Sequence, residues 1–364
     1  VIQAVGASML MANAQGIVTA TFTGPERGRA LGLTSTMVGL GSLTGPGLGG
    51  LLIDAFGWRS VFFVNLPIGI LGFMASKILP ANRPAASERM DIPGAIIFAG
   101  AMVAFLLVLN QGDQWGWLTV KTLTGIAVAF CLFVLFWVQE HKTEQPLVDL
   151  TLFQNRPFLF GIIAALLTFM AMSANSILLP FFMHSVLAFS VTQMGLVMTA
   201  FPVMMATVAP ISGYLSERVN HALLTACGLT IMTAGLLYHI WLDQTATLSQ
   251  VFIGQAIMGL GNGMFQSPNN NSIMSSVPTD KLGIAGGVNA LIRNVGMVSG
   301  VALAVALFEY LRRIYLPQTA VAESETAAFL AAYRGAVFVA AVLAGFAAII
   351  SALRPARVPV DTGK

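Results

Sequence analysis

Charged side chains are scarce in this chain of 364 residues. Asp, Glu, Lys and Arg together make up 9% of it, whereas hydrophobic residues make up 56%. Soluble domains carry about 25% charged residues, so the composition excludes an ordinary soluble protein. Long uncharged stretches predict instead an all-α integral membrane protein that crosses the lipid bilayer many times.

Cysteine is also scarce, and the sequence lacks the usual marks of an enzyme. Cys131 and Cys227 fall in different apolar segments, which argues against a disulfide or a metal site and predicts two buried small side chains. No H-E-x-x-H or G-x-S-x-G pattern indicates a hydrolase. We therefore expect no catalytic residue, no metal and no cofactor. The basic residues are scattered among short loops, so no nucleic acid is expected as a partner.

The gaps between charged residues predict the membrane spans. They give eleven helices, at 1–22, 31–53, 60–77, 92–110, 120–138, 158–180, 190–214, 222–242, 249–272, 284–308 and 335–353. The stretch 157–216 contains no Asp, Glu, Lys or Arg and must hold two of these helices. We expect the break between them near His184 to Ser190.

Loop charge predicts the orientation of the chain in the membrane. If the loop at 24–29 is cytoplasmic, alternation of the spans places most basic loop residues, such as Arg156 and Arg354, on the same side. Such an excess of Lys and Arg is typical of cytoplasmic loops. The C-terminus is then cytoplasmic, and Trp115 and Trp117 lie in a short outer loop, where interfacial aromatic residues are common.

One uncharged run, residues 30–53, is rich in glycine and contains a proline. From Gly41 to Gly50 it reads G-S-L-T-G-P-G-L-G-G. Such residues weaken a soluble helix, but in a membrane they let two helix backbones approach closely. Residues 45–50 also match the dinucleotide pattern G-x-G-x-x-G, which requires a preceding strand and a following helix. Because the pattern lies inside an apolar run, we expect no nucleotide site.

The spacing G-x-x-x-G-P-x-x-G-G resembles the antiporter motif of the major facilitator superfamily, in its drug/proton antiporter branches. The matching positions are Gly41, Gly45, Pro46, Gly49 and Gly50. The resemblance implies that this segment is a packed, kinked hinge that limits leakage rather than a substrate contact.

Two further stretches resemble the same family. Gln3, followed by Gly6 and Ala7, is similar to the end of the motif R-x-x-Q-G-x-G, whose arginine would immediately precede Val1. The stretch 213–220 is similar to the cytoplasmic gating loop G-x-L-a-D-r-x-G, with Glu in place of Asp and Asn in place of the last Gly. Its matching residues are Gly213, Glu217 and Arg218.

The resemblance implies a major facilitator fold of the fourteen-span branch, N-terminally truncated so that eleven spans remain. It divides the chain into the last three helices of the N-terminal bundle (1–80), an extra two-helix insert with a cytoplasmic linker (81–157), a six-helix C-terminal bundle (158–353) and a cytoplasmic tail (354–364). It also implies a multi-pass protein of the cell membrane that works as a monomer.

An internal repeat is consistent with two related halves. Residues 1–50 align without a gap with residues 256–305. The identical residues include the pairs Gly41/Gly296 and Gly45/Gly300. The antiporter motif would thus have a counterpart in the C-terminal half.

Polar side chains inside the spans are the candidates for transport, because such groups are costly in lipid. The candidates for lining the cavity or binding substrate are Gln3, Asn13, Asn175, Asn262, Gln266, Asn270, Asn289 and Arg293. The amides could equally form interhelical hydrogen bonds. Arg293 could bind an anion or a carboxylate, or it could be a static clamp or reach the interface. Asn289, Arg293, Gly296 and Gly300 share one helical face, which we expect to look toward the bundle interior.

No Asp or Glu lies in the middle of a predicted span. His184 and His239 fall near outer helix ends, where a loop or interfacial role is expected rather than a proton relay. In the antiporters that the motifs resemble, an acid in the first helix commonly carries the proton, and that helix is missing here. The resemblance implies a secondary transporter that exports small amphipathic or cationic compounds in exchange for protons, driven by the proton gradient. A narrow-specificity metabolite exporter and a transport-inactive truncated protein remain open.

Overall fold

The computed structural model describes residues 2–22, 57–77, 91–143, 150–216, 218–316 and 322–355. Between residues 23 and 56 it describes only positions 26, 29–31, 33–34, 37–38, 41, 52 and 55–56. Every regular element within these described residues is a helix.

The α-helices are numbered in chain order. They are α1 (Ile2–Thr21), α2 (Ser60–Phe63), α3 (Asn65–Ser76), α4 (Ile92–Trp115), α5 (Val120–Lys142), α6 (Arg156–Ser185), α7 (Val191–Leu215), α8 (His221–Trp241), α9 (Leu248–Ser275), α10 (Leu282–Tyr315) and α11 (Ala322–Ala352). Short 3-10 turns at Leu150–Gln154 and Thr279–Lys281 precede α6 and α10.

Within the described residues, 7 helices are long and apolar enough to cross a membrane, namely α4 to α8, α10 and α11. Each predicted span from residue 92 onward coincides with one helix, and the predicted break in 157–216 falls at residues 186–190. The helices extend past the predicted ends: α10 runs to Tyr315 and α11 begins at Ala322. Charged residues mark where lipid ends, whereas the backbone hydrogen bonds of a helix can continue into water.

Two further helices have the length of a span but a less apolar composition. Helix α9 has 28 residues and α1 has 20, and both carry amides and glycines. Residues Ser60–Ser76, predicted as one span, form the shorter apolar segment that contains α2 and α3. The count of eleven spans therefore stays a prediction.

Helices α4 and α5 form an antiparallel hairpin joined by a short turn at residues 116–119. Asp91 caps the start of α4, since its Oδ1 accepts a hydrogen bond from the Gly94 amide at 3.0 Å. Gln139 and Thr143 at the end of α5 donate to the same carboxylate at 3.4 and 3.3 Å. Buried Asp91 thus holds the two open ends of the hairpin together.

Helices α6 to α11 form a bundle in which successive helices run in opposite directions. The end that carries Arg156, Arg218, Lys281 and Arg354 is called the basic end below, and the other is called the opposite end. At the opposite end, Arg334 of α11 donates to the Leu242 carbonyl after α8 at 3.1 Å. Helices α1 and α4 both lie against α10 of this bundle.

Helix α9 packs mainly against α7 and α8, and most of its side chains between Val251 and Met274 are buried. Its glycines allow two neighbours to approach closely. A Cβ at Gly261 would lie 2.5 Å from the Gly228 carbonyl of α8, and a Cβ at Gly263 would lie 3.1 Å from the Met205 carbonyl of α7. Backbone therefore packs against backbone on two sides of α9, as small residues permit in membrane helices.

Three consecutive asparagines near the end of α9 reach different neighbours. Asn269 donates to the Gly161 carbonyl of α6 at 3.2 Å. Asn270 accepts from Asn289 of α10 at 3.0 Å. Asn271 donates to Ser216 after α7 at 3.3 Å. Because successive helical residues point about 100° apart, one short segment ties α9 to three helices.

The remaining helices of the bundle join the same network at the basic end. Asn271 Nδ2 also lies 3.3 Å from His221 Nε2 at the start of α8. Arg354, just after α11, donates to Asn269 Oδ1 at 2.8 Å. Burial lowers the pKa of the Arg354 guanidinium to about 10, so it remains charged at neutral pH. We call Asn269, Asn270, Asn271 and Arg354 the asparagine hub.

The expectation for the cysteines is wrong. Cys131 and Cys227 are both exposed on the protein surface rather than buried. They lie on α5 and α8, on faces that neighbouring helices do not cover. Periodicity alone does not separate a lipid-facing position from a core position, because both are apolar.

We predict that Gly261→Val destabilises the full-length protein by about 3 kcal/mol or more, because the Gly228 carbonyl is backbone and cannot move aside. The matched control is Gly195→Val in α7, where a Cβ would meet no atom within 4 Å. Thermal unfolding in detergent checks this. Equal midpoints for the two variants would contradict the close packing of α8 and α9.

We also predict that Asn269→Ala destabilises the protein by about 2 kcal/mol, because the Gly161 carbonyl and buried Arg354 each lose a partner. Asn269→Asp should be less harmful, since a carboxylate can still accept from Arg354. Asn294→Ala is the control, because Asn294 bonds to the Ala290 carbonyl of its own helix. Unfolding free energies measure all three, and an Asp variant as unstable as the Ala variant would contradict the contact.

Candidate functional site

The first candidate group lies on α9 and faces α7. Asn262 and Gln266, one helical turn apart, are both buried, and Asn262 Nδ2 lies 3.5 Å from Gln266 Oε1. The same Nδ2 donates to the Met205 sulfur of α7 at 3.1 Å. In the part of the chain that the structure describes, no donor reaches Asn262 Oδ1. This amide pair therefore holds a buried acceptor without a hydrogen-bond donor among the described residues.

The second group joins α9 to α10. Asn270 and Asn289 form a buried amide pair, as described above, and Arg293 follows Asn289 by one helical turn. Arg293 is only partly buried and lies in the middle third of α10. The structure thus brings together four of the predicted polar residues, in two amide pairs, with Arg293 at the edge. We call Asn262, Gln266, Asn270, Asn289 and Arg293 the amide patch.

The face of α10 that carries Arg293 also carries two closely packed glycines. A Cβ at Gly296 would lie 2.9 Å from the Leu166 carbonyl of α6, and a Cβ at Gly300 would overlap the backbone of Met170. Both glycines and Asn289 are buried, which agrees with the expectation that this face looks toward the bundle interior. Arg293 departs from it by remaining partly exposed.

Asn175 lies apart from the amide patch. Its Oδ1 is 3.1 Å from Nδ1 of His239 on α8, and both side chains are buried. The His239 ring also fills the space beside Gly254 of α9, where a Cβ would overlap it. The expectation of a loop or interfacial role for His239 is therefore wrong. Asn175 acts here as an interhelical hydrogen-bond partner.

Sequence reasoning missed the Asn175–His239 pair. His239 is two residues before the last residue of α8, and proximity to a helix end suggested exposure. The loop that follows folds back instead, since Leu242 and Ala246 are both buried. A signal was present in Gly254, because a glycine inside an apolar helix indicates close approach of another group.

Two predicted candidates, Gln3 and Asn13, lie on the first helix, α1. Gln3 is exposed on α1. Asn13 lies within α1, but its side chain is outside the described residues. Both therefore stay predictions.

Most of the antiporter motif falls outside the described residues, namely Gly45, Pro46, Gly49 and Gly50. Gly41 is described as helical, and a Cβ there would meet no atom within 4 Å. Its role as a hinge stays a prediction.

The stretch that resembles a gating loop is described in part. Gly213 lies in the last turn of α7, where its carbonyl accepts from Ser216 at 2.7 Å. Glu217 lies outside the described residues. The guanidinium carbon of Arg218 sits 4.5 Å from the centre of the Tyr214 ring, a cation–π contact within its own segment. A gating role stays a prediction.

The acidic side chains that the structure describes lie at or near helix ends. The buried acids Asp91 and Glu140 lie at the ends of α4 and α5. Glu309 and Glu325 lie at the opposite end of the bundle. Among these described residues, no group of three His, Cys, Asp or Glu side chains could hold a metal ion. The chemistry available at the patch is therefore hydrogen bonding by amides and one cation.

Comparison with proteins of known function gives named relatives. Riboflavin transporter RibZ of Clostridioides difficile is 37% identical over 312 residues, which cover 85% of this chain and 67% of that protein. Multidrug resistance protein Stp of Mycobacterium tuberculosis is 30% identical over 303 residues, covering 83% of this chain and 56% of that protein. Multidrug transporter protein MdtP of Bacillus subtilis is 26% identical over 304 residues, covering 83% of this chain and 56% of that protein. The chain thus spans about half to two thirds of these relatives.

A solved structure has the same fold. The human organic anion transporter MFSD10 aligns with a TM-score of 0.59 at 15% identity, over 92% of this chain and 67% of that chain. The family profile of the Major Facilitator Superfamily matches residues 1–301 and residues 161–364, which together span the chain. This family and the relatives above are transporters rather than enzymes. The chain therefore belongs to the major facilitator superfamily, as a multi-pass membrane transporter.

Proposed function

We propose that this chain is part of a secondary exporter that moves small amphipathic or cationic compounds out of the cell in exchange for protons. The amide patch carries the proposal, because it gathers uncharged hydrogen-bonding groups around Asn262 and Asn270. A few polar groups in an apolar wall are typical of small-molecule sites. Two relatives whose names describe multidrug transport support the substrate class.

In this proposal the two halves of the protein rock about a central site. The asparagine hub keeps α6 to α11 together as one half, while Asn262 and Gln266 contact the substrate. Gly41, Gly45, Pro46, Gly49 and Gly50 would pack one helix of the other half. Their aligned counterparts Gly296 and Gly300 support this role, because both contact the backbone of α6.

The proposal extends to the parts of the protein that the chain does not show. The relatives are longer than this chain, and we propose a protein of fourteen spans whose first helix holds the proton-carrying acid. The 81–157 segment would be an insert between two six-helix bundles. The protein would lie in the plasma membrane as a monomer. Its basic end would face the cytoplasm. Sequencing the gene upstream of Val1 tests this, and a start codon directly before Val1 would contradict it.

Narrow export of a metabolite is the second candidate. The observation that favours it is the 37% identity with a protein named as a riboflavin transporter, compared with 30% for Stp. Riboflavin is an uncharged heteroaromatic compound with several hydrogen-bond acceptors, and amide side chains can donate to it. Export of riboflavin without export of ethidium by the same vesicles would favour this candidate over multidrug export.

We predict that Asn262→Ala and Gln266→Ala each weaken the apparent affinity for the exported compound about tenfold, the effect of one lost buried hydrogen bond of about 1.4 kcal/mol. Ethidium efflux from vesicles holding the full-length protein measures this, with a pH difference imposed and then abolished by a protonophore. Asn294→Ala is the control. Unchanged ethidium efflux in both Asn262→Ala and Gln266→Ala would contradict a substrate site at the amide patch. Ethidium efflux that the protonophore does not change would contradict proton exchange.

A further inference from the structure

A second candidate site lies at the opposite end of the bundle, between α6, α10 and α11. There the three helices enclose a cavity of about 500 Å³. We call it the acidic cavity. Its polar wall is formed by Glu309, Arg312 and Glu325, and its aromatic wall by Phe181, Phe308 and Phe329. A cavity of this volume is large enough for a drug-sized molecule.

The acidic cavity is separate from the amide patch. Glu309 follows Arg293 by 309 − 293 = 16 residues along α10, which at 1.5 Å per residue is about 24 Å. Among the described residues, its walls come from α6, α10 and α11 and the residue after α6. The acidic cavity and the amide patch are therefore two separate places in the bundle.

The charges that line the acidic cavity favour a cation. Two carboxylates and one guanidinium give its wall a net negative charge. Arg312 neutralises Glu309 only weakly, since their closest N and O atoms are 4.0 Å apart and the two side chains are 44% and 35% exposed. Exposed pairs of this kind contribute little, so a ligand cation could replace Arg312 at small cost.

The aromatic wall favours an apolar body on that cation. The Phe308 and Phe329 rings meet edge to face with centroids 5.0 Å apart, and Phe181 is 55% exposed. Ring faces attract organic cations, and the rings also shield apolar groups from water. Carboxylates beside aromatic rings thus match an amphipathic cation better than an anion or a sugar.

A neighbouring cavity provides a contrast within the same protein. It has a volume of about 550 Å³, lies between α4, α6 and α10, and is lined by Asn110, Ser173 and Ser176 with no charged side chain. Ile177 and Val301 line both cavities. Their different linings predict different ligands although they share a wall.

We propose that the acidic cavity is a second binding site, for amphipathic organic cations held by Glu309 and Glu325. It goes beyond the proposed export function, which places substrate at the amide patch. Because the opposite end is predicted to face outward, the cavity would hold a cation on the exit side of the protein.

The test measures equilibrium binding of tetraphenylphosphonium to the full-length protein in an uncharged detergent. Glu309→Gln and Glu325→Gln should each weaken binding about twofold to fivefold, and Arg312→Gln should strengthen it by a similar factor. Asp243→Asn is the control, because Asp243 is exposed at the same end but does not line the cavity. Triphenylphosphine oxide, an uncharged analogue, should bind equally to all variants.

Several results would overturn this inference. The first is that the unmodified protein does not bind tetraphenylphosphonium. The second is an unchanged tetraphenylphosphonium affinity in both Gln variants, and the third is an equal loss of affinity in Asp243→Asn. Binding is measured without a proton gradient, so a failure of export does not affect it. Normal ethidium efflux with unchanged tetraphenylphosphonium affinity in the Gln variants would reject the acidic cavity and leave the proposed function standing.

Discussion

The bundle depends on one constraint: a polar group inside the membrane must find its partner within the protein. Helix α9 carries Gln255, Asn262, Gln266 and three consecutive asparagines. Exposing these polar side chains to lipid would cost free energy. Helix α9 therefore packs between α7 and α8, and its last turns also reach α6 and α10. The three asparagines bond to, or lie in close polar contact with, residues of α6, α8 and α10, Ser216 just after α7 and Arg354 just after α11.

The interhelical hydrogen bonds also require the helix backbones to approach closely. Amide side chains are short, so they bridge two helices only when the backbones are near. Gly261 lets α8 come close to α9, and Gly263 does the same for α7. On α10, Gly296 and Gly300 bring α6 near. Glycine and asparagine thus act together in this bundle: the glycines set the spacing, and the asparagines fix which helix lies opposite.

The sequence predicted the positions of the helices from 92 onward because charge is excluded from lipid, and this rule needs no tertiary information. The uncharged stretch 157–216 shows its strength, since the break was expected within residues 184–190 and lies at 186–190. Partners could not be predicted in the same way. Asn175 and Asn270 looked alike in sequence, yet one meets His239 and the other Asn289. Helical period gives the face of a residue and not the helix that covers it.

The measurement that tests this account most directly is hydrogen exchange of the full-length protein in lipid nanodiscs, read by mass spectrometry. The account predicts that peptides from residues 264–275 exchange no faster than peptides from α5, although α5 is far more apolar, because the asparagines of α9 are bonded between helices. Faster exchange of the backbone amides in 264–275 than in α5 would mean that this part of α9 is open to water. It would contradict the hydrogen bonds that tie α9 to its neighbouring helices.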